Sequence, residues 1–278
     1  MSSLFTSLQK VAPQHGLSRL AGQLAQSETP WFKNLLIKQF AQVYNISLAE
    51  AERENFDDYA HFNDFFTRAL KSDARPISTT AGAIVSPADG AVSESGRIHK
   101  DQLMQAKGHN YSLTSLAGRL GKGFEEGTFC TIYLAPSDYH RVHLPYSGTL
   151  THTLAVPGEL FSVNGSTTQS IDGLFARNER LVCRFETDFG PMLVVLVGAM
   201  IVASIETDWL GPTSPYSETE YAEHHLVYER GAEIGRFLLG STVICCFPND
   251  SMDLNAKTKA SATVRMGEPI GLARTGEG

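Results

Sequence analysis

The run Leu239-Gly240-Ser241-Thr242-Val243-Ile244-Cys245-Cys246-Phe247 passes from a glycine into a stretch of β-branched and apolar residues. Such a run, too short for a helix and bounded by a glycine, predicts a buried strand beginning near Thr242. Ser241 therefore lies where a loop enters a strand. A serine hydroxyl is a weak nucleophile until a base removes its proton. Gly240 carries no Cβ, so its carbonyl can be approached closely and its backbone tolerates strained angles. These are the requirements for a serine to attack its own preceding peptide bond. They are equally the marks of a plain turn or strand start, and the three residues alone do not choose between the two.

Working outward, similar short runs recur at Ala83-Ile84-Val85, Ala91-Val92-Ser93, Phe129 to Tyr133, Leu181 to Phe185, Leu193 to Val197 and Met200 to Ile205. Turn signals at Asp89-Gly90, Pro157-Gly158 and Phe189-Gly190-Pro191 separate them. The first 76 residues read differently. Leu17, Leu20, Ala21 and Leu24 recur at helical spacing, as do Leu36, Phe40 and Val43, with Pro30 opening the second segment. Ser47 and Glu50 resemble a capping box for a third helix, and His61 to Phe66 begins a fourth that stops before Arg75-Pro76. The pattern predicts an α+β chain: N-terminal amphipathic helices over 1–76, then a β-rich core, sandwich- or barrel-like, over 77–278. Residues 211–232, polar and holding Pro212 and Pro215, read as a surface loop or insertion.

A chain of 278 residues is long enough for a sizeable core in one or two domains. The net charge of −7 and pI near 5.7 argue against nucleic acid as a partner, which would require a basic face. The first 45 residues run against that trend, with Lys10, Arg19, Lys33 and Lys38 facing Glu28 alone. That sign suits an anionic membrane surface. Trp31, Phe32, Leu35 and Leu36 lie beside Lys33 and Lys38, as in a helix resting in a bilayer interface; packing on the helix's own domain is the alternative. The N-terminus lacks the features of a signal peptide. The apolar stretch Gly190 to Ile205 is too short to span a bilayer and is divided by Gly198. Cys130, Cys183, Cys245 and Cys246 show no C-x-x-C spacing and read as buried thiols in a reducing compartment. The protein is expected to be soluble or peripheral.

Chemistry could reside in Asp138-Tyr139-His140-Arg141-Val142-His143, where two histidines follow an apolar strand. Histidine is the usual general base near neutral pH. H-x-x-H lacks the spacing and glutamate of a zinc-binding H-E-x-x-H, so no metal is expected. In Ser86-Pro87-Ala88-Asp89-Gly90 the Asp-Gly pair is first a turn signature. If Asp89 faced a histidine it would fix the imidazole tautomer, and Asp, His and Ser could form a triad.

Taken together, these segments resemble bacterial phosphatidylserine decarboxylases over most of the chain. The resemblance is carried by Phe62-Asn63-Asp64-Phe65-Phe66 with Arg75-Pro76, Pro87-Ala88-Asp89-Gly90 and Lys107-Gly108-His109-Asn110-Tyr111-Ser112-Leu113. It continues in Asp138 to His143, Val156-Pro157-Gly158-Glu159-Leu160-Phe161-Ser162-Val163-Asn164 and Phe175-Ala176-Arg177-Asn178-Glu179-Arg180. Gly235-Arg236-Phe237 then leads into Leu239-Gly240-Ser241-Thr242. The resemblance implies self-cleavage after Gly240 into chains 1–240 and 241–278. His143, oriented by Asp89, would deprotonate Ser241, which would end as a covalent pyruvoyl group. It further implies decarboxylation of phosphatidylserine to phosphatidylethanolamine through a Schiff base on that group. His140 would contact the substrate carboxylate and transfer the proton. The expected assembly is a heterodimer of the two chains, further dimerised, peripheral on the cytoplasmic face of a bacterial inner membrane. Trp31, Phe32, Leu35 and Leu36 would be its anchors. Two other readings remain: a Ser-His-Asp hydrolase acting on an external ester or peptide, and a non-catalytic membrane-binding module.

Overall fold

The computed structural model describes residues 22–106, 108–199, 205–212, 216–238 and 241–274. Leu239 and Gly240, the helical periodicity of Leu17, Leu20 and Ala21, and residues 200–204 of the predicted Met200 to Ile205 strand lie outside the described residues.

Among the described residues, helices α1 (Pro30–Tyr44) and α2 (Phe62–Phe66) precede the sheets. In α1, Pro30 occupies the first turn, where its missing N–H costs nothing, and Asn45 ends the helix in the left-handed region at φ 53°. Lys33, Ile37 and Ala41, four residues apart, form its buried stripe. They pack with Tyr59 and with Phe62, Phe65 and Phe66 of α2 (Phe62–Phe66) in a separate, aromatic-rich core. Lys33 departs from the sequence expectation. Its ammonium is not on a membrane-facing side but is buried, donating to the carbonyls of Asp57 at 3.0 Å and Tyr59 at 2.5 Å. No helix follows Ser47 either. Its hydroxyl accepts from Ala49 N–H at 3.2 Å, and Ala51 is drawn into a bridge with Leu70 that extended backbone alone can make.

The strands in order are β1 (Ala83–Val85), β2 (Gly90–Arg97), β3 (Gln102–Ala106), β4 (His109–Ser112), β5 (Thr128–Leu134) and β6 (Arg141–His143). After them come β7 (Gly148–Val156), β8 (Arg180–Thr187), β9 (Gly190–Val197), β10 (Ile205–Thr207), β11 (Gly211–Pro212) and β12 (Glu220–Tyr228). The series closes with β13 (Glu233–Phe237), β14 (Ser241–Phe247), β15 (Met252–Leu254), β16 (Thr263–Val264) and β17 (Pro269–Ala273). Eight of them make one antiparallel sheet in the order β12-β7-β8-β9-β14-β5-β2-β16. The sheet is open, ending at β12 and β16, so the β-rich α+β expectation holds and no barrel closes.

One face of this sheet meets the four-stranded sheet β11-β10-β13-β6 and the three-stranded sheet β1-β17-β15, with Val92, Cys130, Val243, Cys245, Ile234, Phe237 and Ile270 in the shared core. The other face is covered by the β3–β4 hairpin and by short helices at Leu113–Ala117 and Leu174–Arg177, through Tyr111, Leu116, Phe161 and Phe175. Because both faces are covered, every residue of β14 is buried. A sheet wetted on one side would show apolar–polar alternation instead. All four cysteines are free and buried, and burial pushes the Cys130 thiol up to about 12. Within the segment expected to be a loop, Glu220–Tyr228 is instead β12, the edge of the main sheet along β7. Its polarity belongs to an edge strand exposed over most of its length.

Ile244 is fully buried between the two neighbours of β14. Ile244→Ala in an uncleavable Ser241→Ala background is expected to lose about 2–5 kcal/mol, measurable as a lower urea midpoint at unchanged m-value.

Candidate active site

The candidate residues converge on one end of the eight-stranded sheet. Ser241 opens β14 opposite Leu134, the last residue of β5. The loop that follows β5 carries His140, and β6 carries His143. On the far side of β5, Ala91 faces Tyr133, so Gly90 and Asp89 lie at the same level as Ser241. Gly90 is required there, because a Cβ would sit 2.2 Å from the Tyr133 carbonyl oxygen.

The Ser241 side chain is fully buried, and its Oγ has no hydrogen-bond partner. His140 is in the same condition. Its Nδ1 bonds the Asp138 carbonyl at 2.8 Å, its Nε2 is buried without a partner, and its ring lies on Phe66 with centroids 3.9 Å apart. A carbonyl only accepts, so the proton sits on Nδ1 and Nε2 carries the lone pair. Burial drives the pKa of His140 down to about 3, against the smaller raising effect of the Asp138 carbonyl. The loop is held by Arg68, which donates to the Ser137 carbonyl at 3.0 Å, and by Asp138, whose carboxylate accepts from Ala135 N–H at 2.7 Å.

His143 is also held neutral, chiefly by burial. Its Nδ1 donates to the Gly231 carbonyl at 2.8 Å, and Tyr139 Oη donates to its Nε2 at 3.0 Å. Gly231 has φ +82°, and a Cβ there would press into Ile77. The orienting contact expected from Asp89 is thus supplied by a backbone carbonyl. Asp89 instead faces Arg75, whose Nε lies 2.9 and 3.0 Å from its two oxygens, and accepts from Met266 N–H at 2.9 Å. Arg75 is further paired with Glu50, and these carboxylates raise its pKa. Asp89 and His143 are connected through backbone, the His143 N–H donating to Pro87 O at 2.8 Å. The Asp89 charge acts on the imidazole only as a small raising influence.

Sequence reasoning missed Arg75, Tyr139, Met266, Gly231 and Phe66 as parts of the site. Arg75, Tyr139 and Phe66 lay inside recognised segments, but nothing local disclosed their partners. The expected membrane residues divide. Trp31 and Leu35 are exposed, at 71% and 52%, Phe32 is half-buried, and Leu36 packs on the helical core. Lys38 pairs with Asp57 at 2.8 Å. Among the described residues no cluster of three or more potential metal ligands occurs.

A fully buried serine hydroxyl without a partner heads an internal strand, and two neutral imidazoles lie on the segment that follows the neighbouring strand; that set suits a serine-centred enzyme. The chain belongs to the phosphatidylserine decarboxylase family, whose model matches residues 62–272. A second model, described only as PSD, matches residues 4–45. The chain is 52% identical over 270 residues to a phosphatidylserine decarboxylase proenzyme of Acinetobacter baumannii, covering 96% of this chain and 95% of that one. It is 50% identical over 280 residues to the proenzyme of Saccharophagus degradans, covering 98% of each chain. With that of Pseudomonas fluorescens it shares 50% identity over 281 residues and 97% of each chain.

The buried histidines set an acid limit. Unfolded histidine titrates near 6.5, whereas His140 in the fold titrates at about 3 and His143 below its ordinary value. Their contribution is complete above about pH 6.5 and is lost progressively as pH falls toward 3. The urea midpoint of the Ser241→Ala protein should therefore drop between pH 7 and pH 5, and drop less in the additional His140→Phe variant.

Proposed function

We propose that this protein decarboxylates phosphatidylserine to phosphatidylethanolamine with a pyruvoyl group made from its own Ser241. The observation that carries the reading is the Ser241 hydroxyl, buried and without a partner at the start of a central strand. The chain's relatives are named as proenzymes. A buried hydroxyl without a partner costs about 1–3 kcal/mol, and such groups call for an explanation in function.

In maturation, Ser241 Oγ attacks the Gly240 carbonyl carbon as an imidazole takes the hydroxyl proton. The Gly240–Ser241 C–N bond breaks, the serine nitrogen gains a proton and an ester remains. Loss of the Ser241 Cα proton then expels the Gly240 carboxylate and leaves dehydroalanine. Hydrolysis of that residue releases ammonia, leaving the pyruvoyl cap on residues 242–278. His143 is the base in this reading. Gly231 fixes its Nδ1–H, and Tyr139 occupies the Nε2 that must receive the proton. Asp89 supports it through charge and through the backbone of Pro87 rather than by direct contact.

The pyruvoyl group would supply a ketone for the substrate amine and a carbonyl to accept the electron pair left by carbon dioxide. His140 meets the substrate carboxylate, which favours the protonated imidazole, and the acquired proton is then available for return to carbon. A hydrolytic triad would need the same proton transfer from Ser241 to His143, so the missing hydrogen bonds do not separate the two readings. The relatives' naming as proenzymes favours the decarboxylase.

The substrate's acyl chains confine the reaction to a bilayer surface, on this reading the cytoplasmic face of a bacterial inner membrane. Among the described residues no helix is long and apolar enough to cross a membrane. The exposed Trp31, Leu35 and Val43 of α1 suit peripheral contact, with Phe32 beside them. Because Lys33 is buried and Lys38 paired, this contact is chiefly apolar. Association of processed units into a larger assembly belongs to the same reading.

A mass spectrum of purified active protein should show two chains, cut after Gly240, with a blocked N-terminus on the smaller; one intact active chain would refute the proposal. Ser241→Ala should remain whole and inactive. His140→Ala should still cleave but release carbon dioxide roughly 100-fold more slowly. Trp31→Ala and Leu35→Ala should each weaken binding to anionic phospholipid vesicles roughly tenfold, with cleavage unchanged.

A further inference from the structure

We infer that Glu179 is the base that takes the proton from the substrate's ammonium group, so that a free amine reaches the Ser241 end of the sheet. This rests on the decarboxylase reading and adds a residue to it.

Position comes first. Arg180 lies opposite Val197, and Val197 lies opposite Thr242. One step along, Glu179, Gly198 and Ser241 share a level, and Gly198 N–H donates to the Glu179 carbonyl at 2.9 Å. Neighbouring strands are about 4.8 Å apart, so the backbones of Glu179 and Ser241 are separated by about 10 Å. A phospholipid headgroup can bridge that interval with the help of the glutamate side chain.

The face is the same. Leu181, Cys183 and Phe185 of β8 and Val243, Cys245 and Phe247 of β14 belong to one core. Alternation assigns Glu179 and Ser241 to that side. Tyr216, whose N–H donates to Glu179 Oε2 at 2.8 Å, packs on the same core. Glu179 thus mirrors Asp89, each lying two strands from Ser241 on opposite sides.

The chemistry suits the task. Glu179 is 3% exposed, and burial raises its pKa to about 7 against the lowering effect of Tyr216 N–H. The charged side chains around it are directed elsewhere. Arg177 pairs with Glu159 at 2.8 Å, and Arg180 donates to the carbonyls of Ser115, Leu116 and Asn178. Glu218 and Glu220, beyond Tyr216, are exposed. A peptide α-ammonium group titrates near 8 in water, and the serine headgroup's, beside a carboxylate, higher still, so an ordinary glutamate near 4.3 would be a poor base for it and a raised one a better base. The imidazoles are engaged otherwise: Tyr139 occupies Nε2 of His143, and on the decarboxylase reading His140 serves the substrate carboxylate. In the step, one ammonium N–H proton passes to a Glu179 carboxylate oxygen, leaving a neutral amine with its lone pair and a neutral carboxyl group. No electrons are gained or lost overall. Two charges vanish together, which favours transfer in a buried setting.

Glu179→Gln decides the matter, because its amide oxygen can still accept from Tyr216 N–H but cannot take a proton. It should self-cleave normally on a denaturing gel and release carbon dioxide from phosphatidylserine roughly 100-fold more slowly. Its small chain should be captured by hydroxylamine, which is largely unprotonated at neutral pH, at the wild-type rate by mass spectrometry. The acid limb of kcat/KM near pH 7 should disappear. Glu179→Asp should recover part of the rate and keep a limb. Infrared titration of the Ser241→Ala precursor should show a carboxyl group ionising near pH 7 that Glu179→Gln lacks. Wild-type activity in Glu179→Gln, equal slowing of hydroxylamine capture, or loss of self-cleavage would each overturn the assignment. If the glutamine protein fails to accumulate, an aspartate variant without the limb overturns it instead. A wild-type protein that neither cleaves nor releases carbon dioxide would mark failure of the decarboxylase reading itself.

Discussion

The backbone pairing of Ser241–Phe247 inside the main sheet is the constraint on which everything else depends. On one side, Thr242 to Cys246 face Val197 to Leu193; on the other, Ser241 to Phe247 face Leu134 to Thr128. A strand bonded along both edges stays in register without help from the chain preceding it. This makes a cut before Ser241 structurally tolerable, since the new chain start would be gripped by both neighbours. It also fixes where the chemistry can be, because every segment that reaches Ser241 must turn at that end of the sheet.

Asp89 contributes to the same cohesion from the side. Its carboxylate joins Arg75, from the segment leaving the helical region, to the backbone of Met266, which lies beyond the proposed cut. A buried ion pair is poor evidence for net stability, because desolvation offsets much of the Coulomb attraction. Its value here is positional. The carboxylate links both prospective chains at the level of Ser241, while β16 and β17 add backbone pairing to β2 and β1. Asp89 as an assembly point explains its engagement by Arg75 better than a role as direct partner of His143.

The parts of the fold legible in sequence were those where local chemistry and global burial agree. Ala83–Val85, Thr128–Leu134 and Ser241–Phe247 are β-branched, flanked by turns and buried, and all are strands. Glu220–Tyr228 was illegible because an edge strand exposed to water keeps the polar composition of a loop. Ser47 misled because a serine near a glutamate suits a tight turn as well as a helix start, and the Ala51–Leu70 bridge decided between them. At the site, Ser241, His140, His143 and Asp89 were recognised together by resemblance. Their actual contacts, Gly231 on His143, Phe66 on His140 and Arg75 on Asp89, involve partners remote in sequence or hidden in a backbone carbonyl. Motif spacing carries no record of such pairings.

Desolvation is the common cause behind the site's unusual groups. It removes water from all of them but has opposite consequences, because the charged form it penalises differs. His140 and His143 lose their protons and become neutral, whereas Glu179 retains its own up to about pH 7. Near neutrality, burial therefore brings lone pairs and an available carboxyl group to one end of the sheet with little net charge. On the proposed reading, a serine headgroup brings an ammonium and a carboxylate to that end. The ammonium can give a proton to Glu179, removing a charge that burial disfavours, and the carboxylate would offset the penalty on a protonated His140. The closed packing around β14 that would make the proposed cleavage survivable is thus the same packing that shifts the protonation of His140, His143 and Glu179.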